Sequence, residues 1–525
     1  MKESMDIGLI GLGVMGKNLV YNMMDKGYKV SVYNRTLEKT LEFAKELGIA
    51  GSDNKKVDSD EQNTENTNNL HYSTKMKPCE TLEEMVESLK KPRVIFLLVQ
   101  SGKPVDYVCA ELKKYVTSED VIVDLGNSYY KDTMRRCEEF NGIFNYIGCG
   151  ISGGEEGARN GASFMPGGHK NGWPFVEPIL KALAAKCEVK KIATSNDNFT
   201  DIKSYFPCCE WIGNDGAGHF VKTVHNGIEY GDMAIISEIY DIFRKLGKSH
   251  LEIIQEFEKL GEVEELKGYL MEIIVKILKF QSDSGEFVVD LIEDRANNKG
   301  TGIWCILAAM ESNFPATLIA DSVFSRMISN NKEKRTMFSE SIKKMNNMKL
   351  DEKAEDIYEE SAKRVKYSEK NGIVGKEISH EDVQSAMILA KAVSYVQGLN
   401  LIKQVSDSNN WDINMHVLCQ IWKKGCIIRG EFLDKAHQFT VNNLFENSYE
   451  FVQIYKKHIS GLRKVVVKSI EHGIPVNALS GCLSYLDALK ANRSNGCVIQ
   501  AMRDFFGAHG IRLIGENEDT HINWV

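Results

Sequence analysis

Ile7-Gly8-Leu9-Ile10-Gly11-Leu12-Gly13-Val14-Met15-Gly16 decides the fold. Ile7–Ile10 is short, apolar and closed by glycine, the pattern of a parallel strand buried on both faces. Lys17 to Lys26 has helical character and stops at Gly27, and Tyr28–Tyr33 makes a second strand. A strand, a glycine turn, a helix and a strand form one right-handed parallel unit. Further strands are expected at Val94–Val99, Val121–Asp124 and Phe144–Gly148, with helices between them. The expected architecture is a doubly wound α/β sheet of the Rossmann-like kind.

In that setting the glycines divide the work. Gly11 permits the tight turn, Gly13 admits a pyrophosphate, and Gly16 lets helix and strand pack closely. The N–H groups of Leu12, Val14 and Met15 then lie where a helix start holds negative charge. The second strand ends in Asn34-Arg35-Thr36, without the carboxylate that accepts from an NAD ribose. A guanidinium and two neutral hydrogen-bonding groups suit an additional phosphate, so NADP is the expected cofactor.

The chain has 525 residues, 43% of them apolar, and a net charge of −8. At about 150 residues per domain it divides into two to four domains. Disorder of the whole is excluded, and the acidic balance disfavours nucleic acid and anionic lipid. Val94–Val99 is the longest clean apolar run, too short for a membrane span, and the N-terminus lacks a signal-peptide plan. Twelve scattered cysteines without a C-x-x-C pair point to free thiols, hence a soluble, cytoplasmic protein.

Three segments are expected: residues 1–215 for the dinucleotide-binding domain, 216–490 for an all-helical domain, and 491–525 for an extended arm without a closing helix. Helical patterns after Gly216 cover Phe220–Leu246, Leu251–Phe257, Tyr269–Phe280, Thr317–Ile328, Asp382–Val405, Met415–Ile428 and Ser448–His472. Residues 52–69, rich in Asn and almost free of apolar side chains, are expected to be a flexible insertion.

Chemistry concentrates in three places. Ser152-Gly153-Gly154 offers bare backbone to a carboxylate or phosphate, or is a turn joining domains. Lys222, His225, Asn226 and Glu229 recur every three or four residues, so they share one helix face, lining either a polar cleft or solvent. No carboxylate or cysteine completes a metal-binding spacing around the two histidines, and no metal is expected. Lys299-Gly300-Thr301 puts a cation in a glycine turn, either desolvated against a ligand or on the surface. Arg503 and His509 add a cation and an imidazole in the arm.

Taken together, Gly11–Gly16, Asn34-Arg35-Thr36, Gly126-Asn127-Ser128, Ser152 through Ala158, Gly218-His219-Phe220-Val221-Lys222 through Gly231 and Lys299-Gly300-Thr301-Gly302 resemble the decarboxylating, NADP-dependent 6-phosphogluconate dehydrogenases of the pentose phosphate pathway. The resemblance runs from Gly11 to His509 apart from 52–69. It implies Lys222 as general base and Glu229 as general acid in converting 6-phosphogluconate to ribulose 5-phosphate and carbon dioxide. It also implies that Val99, Gln100 and Asn127 contact the cofactor. Substrate contacts would fall on Asn127, Ser152, Gly153, Gly154, His225, Asn226, Tyr230, Lys299, Thr301 and Arg326. A homodimer exchanging arms would bring Arg503 and His509 to the neighbouring site. Gln100, Ile303 and Gly510 depart from the family pattern, with consequences for affinity rather than for the reaction. The alternatives are another β-hydroxyacid dehydrogenase, which would be shorter and armless, or an inert NADP-binding scaffold.

Overall fold

The computed structural model describes residues 4–49, 72–189, 204–297, 299–347 and 377–524; the stretch 52–69 lies outside the described residues. Its strands are β1 (Ile7–Ile10), β2 (Val30–Tyr33), β3 (Met76–Pro78), β4 (Val94–Leu97), β5 (Val121–Asp124), β6 (Asn145–Ser152), β7 (Ser163–Gly168), β8 (Lys186–Val189), β9 (Ser204–Pro207) and β10 (Gly213–Asn214). The main sheet has eight of them in the order β10-β7-β6-β5-β4-β1-β2-β3, and β8 pairs antiparallel with β9 apart from it. β1 to β6 are parallel; β7 runs antiparallel to β6, and β10 follows β7. The central strands are apolar on both sides because helices cover both faces, as a doubly wound sheet requires.

The first helix, α1 (Val14–Asp25), opens at Gly13 directly after β1 and is closed by Gly27 in a left-handed conformation. β6 is longer than its apolar core suggests and ends on Ser152, so Ser152 closes a strand rather than joining domains. Short α2 (Gly154–Asn160) follows and lies against α1, where Asn22 Nδ2 donates to the Ala158 carbonyl at 3.1 Å.

The second half is helical. Its axis is α3 (Ala217–Lys245), with α4 (Thr301–Glu311), α5 (Thr317–Asn330), α6 (His380–Asn409), α7 (Tyr449–Glu471) and α8 (Asn477–Lys490) arranged beside it. α6 is apolar on nearly every side because α3 and α7 enclose it. Buried Glu238 of α3 accepts the first two N–H groups of α8 after its opening residue, from Ala478 at 2.7 Å and Leu479 at 3.0 Å. That carboxylate supplies the cap α8 otherwise lacks.

Two expectations are corrected. The helix expected over Met415–Ile428 ends at Ile421. Gly425 turns the chain there at φ +69°, and its carbonyl accepts the Ser163 N–H of β7. The arm contains a helix, α9 (Gly496–Gly507), before it becomes extended. Asp504 closes that helix by accepting hydrogen bonds from Gly510 and from residues near the C-terminus.

α3 meets the sheet through a seam of glycines. Gly218 of α3 lies against the backbone of β6 and β7, with Gly167 facing it, while Gly148 and Gly150 of β6 make room for the His219 and Lys222 side chains. A Cβ at Gly218 would collide with the carbonyl oxygens of Gly148 and Met165, which are backbone and cannot rotate aside. Gly218→Ala is therefore expected to destabilise the fold by about 1–3 kcal/mol. Gly261→Ala, where an added Cβ meets nothing inside a helix, should instead stabilise by about 0.5–1 kcal/mol. Urea unfolding of both variants checks the contrast.

Candidate active site

The residues expected to bind the cofactor, with Ser152, gather at the carboxyl edge of the parallel strands, where open α/β sheets place ligands. Gly11–Gly16 follows β1, Asn34–Thr36 follows β2, Val99 and Gln100 follow β4, Asn127 follows β5 and Ser152 ends β6.

The glycine turn is shaped for close approach. Gly11 has φ +108°, and a Cβ there would strike the Leu98 carbonyl. A Cβ on Gly16 would strike the carbonyl of Gly11 itself. Above Gly13 the space is open, no side chain caps α1, and Val14 is exposed. This bare helix start can receive a pyrophosphate between backbone N–H groups. Asn34 serves the loop. Its Oδ1 accepts the Leu12 N–H at 3.1 Å and its Nδ2 donates to the Thr36 carbonyl at 3.0 Å, so it ties the turn to the end of β2. Arg35 and Thr36 are exposed, neither side chain bonds a described residue, and Thr36 precedes the uncapped helix Leu37–Glu46. A free guanidinium beside a helix start fits the additional phosphate of NADP.

Beneath the β5 loop lies a carboxylate that the sequence did not advertise. Asp124 is fully buried and accepts from the Gly126 N–H at 3.0 Å, the Ser128 hydroxyl at 2.6 Å and the Tyr146 hydroxyl at 2.9 Å. This holds the turn so that Asn127, exposed and with no described partner, points away from it. Tyr129 packs on Trp304 with ring centroids 5.1 Å apart, and Lys131 pairs with Glu311 at 2.7 Å. The Asn127 loop is thereby joined to α4 and its Thr301.

α3 delivers the stripe of Lys222, His225, Asn226 and Glu229. A Cβ on Gly150 would occupy the place of the Lys222 stem, so that glycine seats the lysine. Lys222 is 6% exposed, with Nζ 3.4 Å from Nδ1 of fully buried His225. Burial lowers the Lys222 pKa, partly opposed by the charge of Glu229. Burial, with Lys222 beside it, pushes His225 well down, and its Nε2 has no partner. Glu229, 21% exposed and one turn along, has its Oε2 3.9 Å from His225 Nδ1. Burial raises the Glu229 pKa against the pull of Lys222 and Arg326, with Asp232 adding to the rise.

Around this stripe stand the remaining candidates. Tyr230 lies against Gly302, and the Arg326 guanidinium stacks over its ring at 3.6 Å. The Ser152 hydroxyl accepts the Ile427 N–H at 3.4 Å, and Gly153 at φ +137° abuts the Gly425 carbonyl. Lys299 is exposed, so its glycine turn is a surface turn within this chain. Arg503 and His509 do not join the others: every hydrogen bond and ion pair described for residues 492–524 stays inside that segment.

Sequence reasoning missed Asp124 and the Gly148–Gly150 seat. Alternate glycines on one face of a strand were the available signal for the second, since they mark a close backbone approach. For Asp124 there was none, because a carboxylate ending a strand looks the same whether it is buried or solvated.

Residues 6–192 match the NAD binding domain of 6-phosphogluconate dehydrogenase, and residues 218–524 match that family's C-terminal domain. The decarboxylating 6-phosphogluconate dehydrogenase of Ceratitis capitata is 39% identical, over 100% of this chain and 97% of its own length. That of Rattus norvegicus is 37% identical over 99% and 96%. A solved structure of the Plasmodium falciparum 6-phosphogluconate dehydrogenase, described in its apo form and in complex with NADP+ and with 6-phosphogluconate, superposes with a TM-score of 0.81. It is 34% identical and covers 99% of this chain and 100% of its own.

The burial of Lys222 has a measurable sign. Because its folded pKa is below the unfolded 10.5, its destabilising effect is complete below the folded value and disappears as pH rises toward 10.5. Lys222→Met is expected to be more stable than wild type at pH 7, with the gap closing in urea titrations as pH approaches 10.5.

Proposed function

The chain belongs to the 6-phosphogluconate dehydrogenase family, and we propose that in its NADP-dependent oxidative decarboxylation of 6-phosphogluconate Lys222 is the general base and Glu229 the general acid. One observation carries these roles: two groups on one face of α3, one buried and one largely so, with pKa values displaced in opposite directions. A lysine lowered by burial is able to act as a neutral amine, and a glutamate raised by burial is able to keep its proton. Each group's charge favours the charged form of the other and so opposes part of both displacements.

Gly11–Gly16, Arg35, Thr36, Val99, Gln100 and Asn127 would hold NADP+, which when bound would supply the acceptor for the hydride leaving C3 of the substrate. Lys222 takes the proton of the C3 hydroxyl as that carbon is oxidised, and becomes an ammonium beside the new ketone oxygen. There it stabilises the charge that develops when the C1–C2 bond breaks and its electron pair moves toward C3, releasing carbon dioxide. Glu229 then gives its proton to the carbon that lost the carboxylate, the C2–C3 pair forms that C–H bond, and the enediolate becomes ribulose 5-phosphate. Asn127, Ser152, Gly153, Gly154, His225 and Asn226 line the reacting end, and the orphan His225 Nε2 is free to bond a substrate hydroxyl. Tyr230, Lys299, Thr301 and Arg326 suit the phosphate end.

Arg503 and His509 complete that end from a second copy. The arm supports this reading. Phe505, Phe506 and Ile514 are 62%, 72% and 89% exposed, an apolar surface that asks for a partner. More apolar surface is exposed on α4 and α5, at Met310, Phe324 and Ile328.

Initial rates with 6-phosphogluconate and trapped carbon dioxide test the chemistry. Wild type should release NADPH and carbon dioxide in equal amounts. Lys222→Met should lose about 10²–10⁴-fold in kcat while NADP+ binding holds, and Glu229→Gln a similar factor with loss of the alkaline limb of the pH profile. Turnover surviving in Lys222→Met would remove it as the base.

Arm exchange has its own test in a hybrid dimer of Lys222→Met with an Arg503→Ala, His509→Ala double variant. Exchanged arms leave one intact site per hybrid and restore about half of wild-type turnover. Arms folded back on their own subunits would leave no intact site and no recovery.

A further inference from the structure

Asp504 is the one fully buried side chain on a helix that is otherwise mostly exposed. Four donors from beyond the helix converge on its carboxylate. Oδ1 accepts the Gly510 N–H at 2.9 Å and His521 Nδ1 at 3.0 Å; Oδ2 accepts the Ile522 N–H at 3.1 Å and the Trp524 indole at 2.8 Å. A carboxylate only accepts, so His521 carries its proton on Nδ1. Ile511 and Thr520 exchange backbone hydrogen bonds at 2.7 and 2.8 Å, closing the end of the chain into a clasp over α9.

The two residues assigned to the neighbouring site sit on either side of this hub. Arg503 precedes Asp504, and its Nη1 donates to Gln500 Oε1 at 3.0 Å. His509 precedes Gly510, whose N–H is held by Asp504 and whose carbonyl accepts Gln500 Nε2. Among the described residues, nothing in the body of the subunit contributes a hydrogen bond or ion pair to the clasp.

We infer that Asp504 is a positioning residue for the reaction in the partner subunit: it folds the arm before docking and sets Arg503 and His509 at the spacing the substrate's phosphate end requires. The inference rests on the arm-exchange reading above. Binding of a preformed arm avoids the ordering entropy that a flexible tail would lose on docking.

Asp504→Asn keeps the shape but turns one of the two acceptor oxygens into an NH2 group that faces donors. With at least one donor left unsatisfied, the KM for 6-phosphogluconate should rise about tenfold or more, with kcat and NADP+ affinity nearly unchanged. Trp524→Phe, a milder variant that removes a single donor, should raise KM less. In a hybrid with Lys222→Met, the live site belongs to the Asp504→Asn subunit but receives a wild-type arm, so its KM should return to the wild-type value. A wild-type KM in both homodimeric variants overturns the inference. So does a raised KM that persists in the hybrid, because the defect would then lie within the subunit's own body. If the Arg503/His509 hybrid recovers turnover while the Asp504 result is negative, arm exchange stands and the positioning role alone fails. If that hybrid does not recover, arm exchange falls and the inference falls with it.

Discussion

Backbone meets backbone where α3 crosses β6 and β7, and the rest of the molecule is arranged around that contact. Side chains are absent at Gly148, Gly150, Gly167 and Gly218, so the helix lies as near the sheet as two main chains can. The approach drops the lysine in the second turn of the helix onto the place a Gly150 Cβ would have taken. It also fixes the rotation of α3, which decides that Lys222, His225 and Glu229 face the carboxyl edge of the sheet while Glu238, farther along, turns inward to cap α8. Close packing leaves such a seam little room to relax, which gives the distances in the site their definition.

The same seam accounts for the electrostatics. An amine with no described carboxylate in direct contact is an unfavourable thing to bury, and so is a glutamate among apolar helices. In this protein the two are separated by a histidine on one helix face, so each offsets part of the other's displacement without cancelling it. His225 contributes by staying neutral, its ring edge-on to Trp422 at 5.4 Å. The result is a lysine and a glutamate displaced in opposite directions by one environment rather than by two.

What the sequence made legible was local. Ile7–Ile10 with its glycines, and the Lys222–Glu229 stripe, each declare themselves within about twenty residues, because periodicity and turn chemistry act over that range. The reversal of β7 depends on pairing Ile147–Ser152 with Ser163–Gly168, and nothing within either segment states the direction. The early end of the Met415–Ile421 helix depends on Gly425 meeting Ser163 across the domain junction. Asp504 was equally hidden: its partners lie at Gly510 and in the last few residues, and polar segments without apolar periodicity give no sign that they converge.

The double duty of Asn34 bears on how cofactor preference is able to drift. One amide both accepts from the glycine turn and donates to the Thr36 carbonyl, so it is a structural rivet at the very position where NAD enzymes keep their acidic residue. An aspartate there would still accept from Leu12 but would have nothing to donate, and it would face a carbonyl oxygen with a negative charge. The single substitution that most directly invites the other nucleotide therefore loosens the loop that both nucleotides need. A lineage changing its preference has an easier path through Arg35, which is bound to nothing in the described chain. The scaffold role falls on Asn34, and its neighbour Arg35 carries none among the described residues.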